Sequence, residues 1–314
     1  MVPKRVGLPY PPATESLLAI HSTDNPEAAI GEMLLRHEEL RHRLELLEAE
    51  VTRLATETQC GTTLDTQHVE RYDGTLGVSR EFVRNFASPI GQLQWSSDLK
   101  HRFRGAGDSP GDVSGVRWGS GSLIGPDLFI TAGHCFDRAG GGWVRPKRKG
   151  VTISEEEIAT LMRVNFNYQL NAETGDLRRE DSYPVLRLLE FRRGSLDYAI
   201  VQLGRNERGE VPGEKYGALI VVASDLKTEG AMLCVIQHPN GEPKKVEAGT
   251  LLRNSNGHVY YDNIDTFGGS SGAAILSGET GEVIGIHTNG GCSAFSGANY
   301  GVSIGAIRHI SSIL

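Results

Sequence analysis

Three polar residues in this chain stand where chemistry needs them. Residues 268–272 read Gly268-Gly269-Ser270-Ser271-Gly272, a pair of serines inside glycines, followed by an apolar run at 273–276. A serine hydroxyl is a weak nucleophile until a base takes its proton and a donor set stabilises the oxyanion. Glycines beside it open backbone turns that aim N–H groups at that oxyanion. The candidate base is His134, in Ile130-Thr131-Ala132-Gly133-His134-Cys135, where an apolar run ends in small residues and leaves an imidazole at a rim. The candidate partner for that imidazole is Asp197, just before the apolar run 198–203. A carboxylate entering an apolar strand is costly unless hydrogen-bonded. Holding a histidine tautomer and stabilising its imidazolium would meet that need.

The elements that must position these groups are short apolar runs between turns. They fall at 90–95, 121–124, 128–132, 164–170, 185–191, 198–203, 218–222, 232–236, 273–276 and 283–287. Many short strands without intervening helices predict a β barrel or sandwich, not βαβ units. A short helix is expected over 155–163, and apolar residues three and four apart predict a terminal helix over 306–314.

Upstream, the character differs. Residues 1–24 are proline-marked and aperiodic, and are expected to be disordered. Asn25-Pro26-Glu27 is a helix start, and 25–58 is expected to be helical. Ile30, Met33, His37, Leu40, Leu44, Leu47, Val51 and Leu54 alternate in threes and fours, a coiled-coil seam. Self-association or a partner helix through residues 30–54 follows, against the plainer reading of one amphipathic helix. Residues 59–85 are polar and read as a linker or pro-segment, with the peptidase-like region at 86–314.

Composition narrows the class. A net charge of −7 argues against nucleic acid as the main partner. No window approaches the ~18 apolar residues of a membrane span, and no secretory signal is legible, so a cytoplasmic protein is expected. Cys60, Cys135, Cys234 and Cys292 lack CxxC spacing. They read as buried thiols, with neither a zinc site nor a disulfide framework, and no metal or cofactor is expected. The basic run at 145–149 reads as a solvated loop, and His238 as structural.

Taken together, in the order His, Asp, Ser, the motifs give residues 86–314 a resemblance to the trypsin-like (chymotrypsin-fold) serine peptidases. Thr131-Ala132-Gly133-His134-Cys135 resembles their histidine motif, Leu196-Asp197-Tyr198-Ala199-Ile200 their aspartate motif, and Gly269-Ser270-Ser271-Gly272 their serine motif. The resemblance implies Ser271 as nucleophile and the N–H groups of Gly269 and Ser271 as oxyanion donors. The implied fold is all-β: two antiparallel six-stranded barrels with a C-terminal helix, here preceded by the N-terminal coiled-coil helix. Residues 265–269 and 282–291 are similar to those of the bacterial V8-like glutamyl endopeptidases. That similarity implies cleavage after Glu or Asp, with Thr266 and His287 in the S1 pocket; a hydroxyl and an imidazole N–H suit a carboxylate. Asp265 stands where trypsin-like enzymes bind Arg or Lys, which keeps a basic P1 open. Secreted relatives bridge the cysteine after the catalytic histidine to a residue that is Gly119 here, so Cys135 is expected to be a free thiol. Their pro-segments imply Glu70 and Asp73 as candidate processing sites. The reading from another class is an inactive protease-fold binding module on a coiled-coil scaffold.

Overall fold

The computed structural model describes residues 30–31, 33–38, 40, 59–140, 142–222, 228–293 and 296–314. The chain divides into two units, 1–48 and 49–314. In the first, the described residues are helical and exposed. The disordered segment expected at 1–24, and most of the helix expected at 25–58, lie outside the described residues. The rest of this section concerns the second unit.

Its centre is a closed six-stranded antiparallel barrel. In barrel order the strands are β2 (Ile90–Trp95), β3 (Arg117–Leu123), β4 (Leu128–Thr131), β9 (Tyr198–Leu203), β8 (Asp181–Arg192) and β7 (Met162–Phe166). Leu93, Trp95, Leu123, Phe129, Val164, Phe166, Val201 and Leu203 fill its interior. Helix α3 (Glu155–Thr160) begins as its sequence suggests: the Ser154 hydroxyl accepts from the Glu157 N–H, and three glutamates occupy the first turn.

The second barrel expected from the sequence is instead an open eight-stranded sheet. It runs β1 (Gln67–His68), β11 (Lys245–Thr250), β10 (Met232–Gln237), β14 (Ala274–Ser277), β15 (Val283–Asn289), β16 (Asn299–Ser303), β13 (His258–Tyr261) and β12 (Arg253–Ser255). Residues 59–85, expected as linker or pro-segment, supply β1, which pairs with β11 and occupies that edge. They also supply most of α1 (Arg80–Phe86), capped by Ser79. Val69, Tyr72, Val78, Phe82 and Val83 join the core behind the sheet.

Other expectations change in detail. Cys60 and Cys292 form a disulfide across 232 residues, against the expectation of four thiols. Cys135 and Cys234 are free and buried, as expected for Cys135. In the run expected as a solvated loop, Arg145 is buried, with its guanidinium over the Trp118 ring and its Nε donating to the Asp137 carbonyl. Residues 218–222 contribute only one bridge, Val221 to Val283. The terminal helix α5 spans only Ile304–Arg308. It ends because Glu190 draws the next residues away: the Ser311 and Ser312 hydroxyls and the Ser312 N–H all donate to its carboxylate.

Candidate active site

The site lies where the closed barrel meets the open sheet. Strand β4 ends at Thr131 and the chain enters a 3-10 turn, Gly133–Phe136, which lifts His134 off the barrel wall. Asp197 arrives from the other side, between a 3-10 turn at Gly194–Leu196 and β9. Its Oδ2 is 2.6 Å from His134 Nδ1, and its Oδ1 accepts the His134 backbone N–H at 2.8 Å. Glycine at 133 is what lets the two meet. A Cβ there would stand 2.0 Å from the Arg192 carbonyl oxygen and 2.9 Å from Asp197 Oδ1.

Asp197 is buried. Burial pushes its carboxyl up, but the His134 and Arg193 charges and the His134 hydrogen bonds outweigh that and hold it below the ordinary range. Arg193 was not anticipated from the sequence. Its Nη1 lies 3.0 Å from Asp197 Oδ1 and its Nη2 2.6 Å from Asp137 Oδ2. Its i−4 spacing from Asp197 was the available signal. The neighbouring Cys135 thiol is pushed by burial to about 12, so it is an inert packing group.

The two serines separate cleanly. Ser270 is consumed by the turn: its hydroxyl accepts the Phe267 N–H and its N–H donates to the Phe267 carbonyl. The Ser271 hydroxyl makes no protein hydrogen bond among the described residues, and neither do the N–H groups of Gly269 and Ser271. Gly269 sits at φ +91°, a conformation that L side chains rarely adopt. The turn is tied to the barrel through Ser120 on β3, another residue missed from sequence. Its N–H donates to the Ser271 carbonyl, its hydroxyl donates to the Gly269 carbonyl, and it accepts the His238 N–H. Beside it, a Cβ at Gly119 would stand 3.0 Å from Cys135 Sγ and 3.2 Å from the Ser271 carbonyl oxygen. The histidine turn and the serine turn therefore flank one strand.

Of the pocket residues expected from the sequence, His287 lies on β15, while Asp265 and Thr266 lie in the chain between β13 and the serine turn. His287, on β15, is fully buried; its N–H donates to the Ala273 carbonyl, and its own carbonyl accepts the Gly272 N–H. Burial, with a smaller contribution from the nearby His134 charge, lowers its pKa to about 3, so it is neutral at working pH. Its Nδ1 is 2.5 Å from the Tyr261 hydroxyl, while Nε2 is buried with no protein partner. Tyr261 was not anticipated; a tyrosine in an apolar strand gives little signal. Thr266 Oγ1 accepts from Asn299 Nδ2 at 3.1 Å. Asp265 turns to the upstream segment: its Oδ1 accepts the Cys60 N–H at 2.6 Å, and burial raises its carboxyl to about 6. His238 is buried on the Tyr168 ring with Nδ1 3.0 Å from the Glu242 carbonyl oxygen, a structural placement.

Glu70 and Asp73 are folded into the unit. Glu70 pairs with Arg178 and accepts from Gln169 and the Ala172 N–H. Asp73 holds a turn with Gln67 and Thr75. No helix among the described residues is long and apolar enough to cross a membrane.

Residues 119–286 match the trypsin-like peptidase domain family. An uncharacterized protein, y4fB, of Sinorhizobium fredii is 31% identical over 186 residues, which is 55% of this chain and 25% of that protein. The chain thus spans about a quarter of the length of this curated relative. Among solved structures, a serine endoprotease from Yersinia pestis aligns with a TM-score of 0.47 and 14% identity, over 73% of this chain and 64% of that one. A Glu endopeptidase aligns at 0.46 and 17%, over 80% and 94%. With the family match covering more than half of its residues, the chain belongs to the trypsin-like peptidase family of serine protease hydrolases.

Proposed function

We propose that this protein is a serine endopeptidase with His134, Asp197 and Ser271 as its triad. The observation that carries the reading is the His134–Asp197 pair, joined at both the side chain and the backbone, beside a serine turn with two unspent N–H groups. Asp197 accepts from His134 Nδ1–H, which leaves Nε2 as the base. That nitrogen takes the Ser271 proton as Oγ attacks the peptide carbonyl. Among the described residues the Ser271 hydroxyl is unbonded to protein in the free enzyme, and its hydrogen bond to His134 Nε2 forms as substrate binds. The oxyanion is met by the N–H groups of Gly269 and Ser271. His134 then protonates the leaving amine, and water hydrolyses the acyl-enzyme by the same route in reverse. Ser271→Ala should abolish peptide cleavage and fluorophosphonate labelling while leaving the circular dichroism spectrum unchanged; cleavage by a clean Ser271→Ala preparation would refute the assignment.

The V8-like reading of specificity, cleavage after Glu or Asp, draws on His287. With Tyr261 donating to Nδ1, the neutral imidazole carries its proton on Nε2, the buried atom without a protein partner. A P1 carboxylate would accept that N–H, with Thr266 beside it. The orientation of Asp265 toward Cys60 favours this over a basic P1. A peptide-library profile comparing the wild type with His287→Ala tests it: loss of Glu preference supports the pocket, and an Arg or Lys profile in the wild type overturns it.

The N-terminal unit, with the helix expected at 25–58, is read as an assembly or recruitment element, with autoinhibition as the alternative role. Deleting residues 1–58 should leave activity and change the sedimentation of the full chain. Cleavage at Glu70 or Asp73 would act on a chain whose 59–86 segment has not docked, because a protease cleft binds extended backbone; intact-mass measurement after incubation reads the new N-terminus. The Cys60–Cys292 disulfide favours an oxidising compartment over the cytoplasm expected from sequence.

A further inference from the structure

Below the serine turn, three carboxylates converge from three parts of the chain. Asp65 comes from the segment leading into β1, Glu247 from β11, and Asp265 from the chain after β13; their oxygens all lie within 4.8 Å of one another. Like charges so close need a compensating charge or a shared proton.

The surroundings supply no compensation. Glu247 is fully buried, and neither of its carboxylate oxygens has a protein hydrogen-bond partner. The Thr66 hydroxyl beside it is directed to the Val246 carbonyl. Asp265 is 2% exposed; its Oδ1 is held by the Cys60 N–H, and its Oδ2 has no partner. No ion pair engages any of the three among the described residues. A fourth acceptor stands alongside. Gln237 is fully buried on β10, where the register places it on the same face as Glu247, two pairs along. Its Nε2 donates to the Asp265 carbonyl at 2.8 Å, and its Oε1 has no partner. Unsatisfied buried acceptors are rare in folded proteins, and the unpartnered oxygens of Glu247 and Asp265 in one cluster point to a ligand that supplies positive charge.

We propose that Asp65, Glu247 and Asp265, with the Gln237 side-chain oxygen, form a calcium site. The donors are all hard oxygens, with no nitrogen or sulfur among them, which suits Ca²⁺ rather than Zn²⁺ or copper. Asp65 is exposed, so water has access to complete the roughly six to eight oxygen ligands that Ca²⁺ takes. The irregular spread of the ligands over a segment, a strand and a loop favours Ca²⁺ over Mg²⁺, which demands near-octahedral geometry. Bound calcium joins the 60–66 segment to the residue next to Thr266 and neutralises Asp265 there. The competing state is a proton held between the carboxylates.

The test uses the full-length chain carrying Ser271→Ala, so that self-cleavage cannot alter the sample, after chelator stripping. Calorimetric titration with CaCl2 should give one saturable site, and the thermal midpoint should rise with calcium and less with magnesium. Asp65→Asn changes an exposed position and should fold normally. It should weaken calcium binding by roughly tenfold or more, and Glu247→Gln should do the same. No heat and no midpoint shift up to roughly 10 mM calcium, beyond the weakest class of protein calcium sites, would overturn the proposal in favour of the shared proton. Binding that survives unchanged in both variants would place calcium elsewhere and overturn it equally. The readout is binding, so it stands or falls apart from the protease assignment.

Discussion

Asp197→Asn isolates the central electrostatic claim. In the wild type, Asp197 Oδ1 takes two donors, the His134 N–H at 2.8 Å and Arg193 Nη1 at 3.0 Å. Oδ2 faces His134 Nδ1 at 2.6 Å. Asparagine can match only one side of this. With its carbonyl oxygen on the two-donor side, its NH2 faces Nδ1, and the ring must accept there and carry its proton on Nε2. That tautomer cannot take the Ser271 proton. Rotating the amide would instead set NH2 against both the backbone N–H and Arg193, losing two bonds to save one. The variant should therefore fold, keep its peptide KM within a few-fold, and lose about 10⁴ in kcat. At 1.36 kcal/mol per decade this is ~5 kcal/mol of transition-state stabilisation. Steady-state cleavage of a Glu-containing chromogenic peptide measures it, with circular dichroism as the folding control. A kcat within about tenfold of wild type, in a variant free of contaminating protease, would refute the role given to Asp197.

Three further outcomes are expected. Tyr261→Phe removes the hydroxyl hydrogen-bonded to His287 Nδ1; discrimination of Glu over Gln at P1 should fall by about fivefold, the worth of a buried hydrogen bond at ~1 kcal/mol, and unchanged discrimination in a kcat/KM comparison would exclude the tautomer argument. Lys244 is fully buried, donates to the Ala87 carbonyl at 2.7 Å, and has its pKa lowered by burial to about 7, against an unfolded value near 10.4. Between those values the unfolded chain binds more protons, so this group's contribution to stability rises with pH by about 1.4 kcal/mol per unit, and below pH 7 the full burial cost is present. The advantage of Lys244→Met over wild type in urea unfolding should thus be largest below pH 7 and shrink above it; a pH-independent difference would contradict this. Gly119→Cys should bridge to Cys135 under oxidising conditions, because a Cβ at 119 already stands 3.0 Å from that sulfur. Thiol counting on the denatured, unreduced protein should find one free thiol, Cys234, against two in the wild type, and persistence of the Cys135 thiol would count against the geometry.

The local parts of the site were legible because each is written in contiguous residues. Gly133 before His134, Asp197 before an apolar strand and Ser271 among glycines are backbone requirements, and backbone requirements constrain nearby sequence. Strand β2 was legible end to end because Ile90, Leu93 and Trp95 mark its ends and middle despite Gln92 and Gln94 between them. Strands β11, β12 and β13 were not, because their polar and charged residues, Glu247 and Arg253 among them, mask the pattern. Residues 59–85 looked like a linker because their core contacts are single apolar residues between polar ones, Val69, Tyr72 and Val78. No periodicity reveals that they dock on a sheet formed more than 150 residues later.

Sequence alone singled out the proposed reacting groups and their order, since the turn that presents each one is built from its immediate neighbours. Only the tertiary structure decided what those groups face. Arg193 and Asp137 behind Asp197, Ser120 between the two turns, Tyr261 against His287, the Cys60–Cys292 bond and the Asp65–Glu247–Asp265 cluster all join distant parts of the chain or separate turns. Such pairings depend on which strands become neighbours and in what register, and that is settled by burial of the whole core, not by any local run of residues.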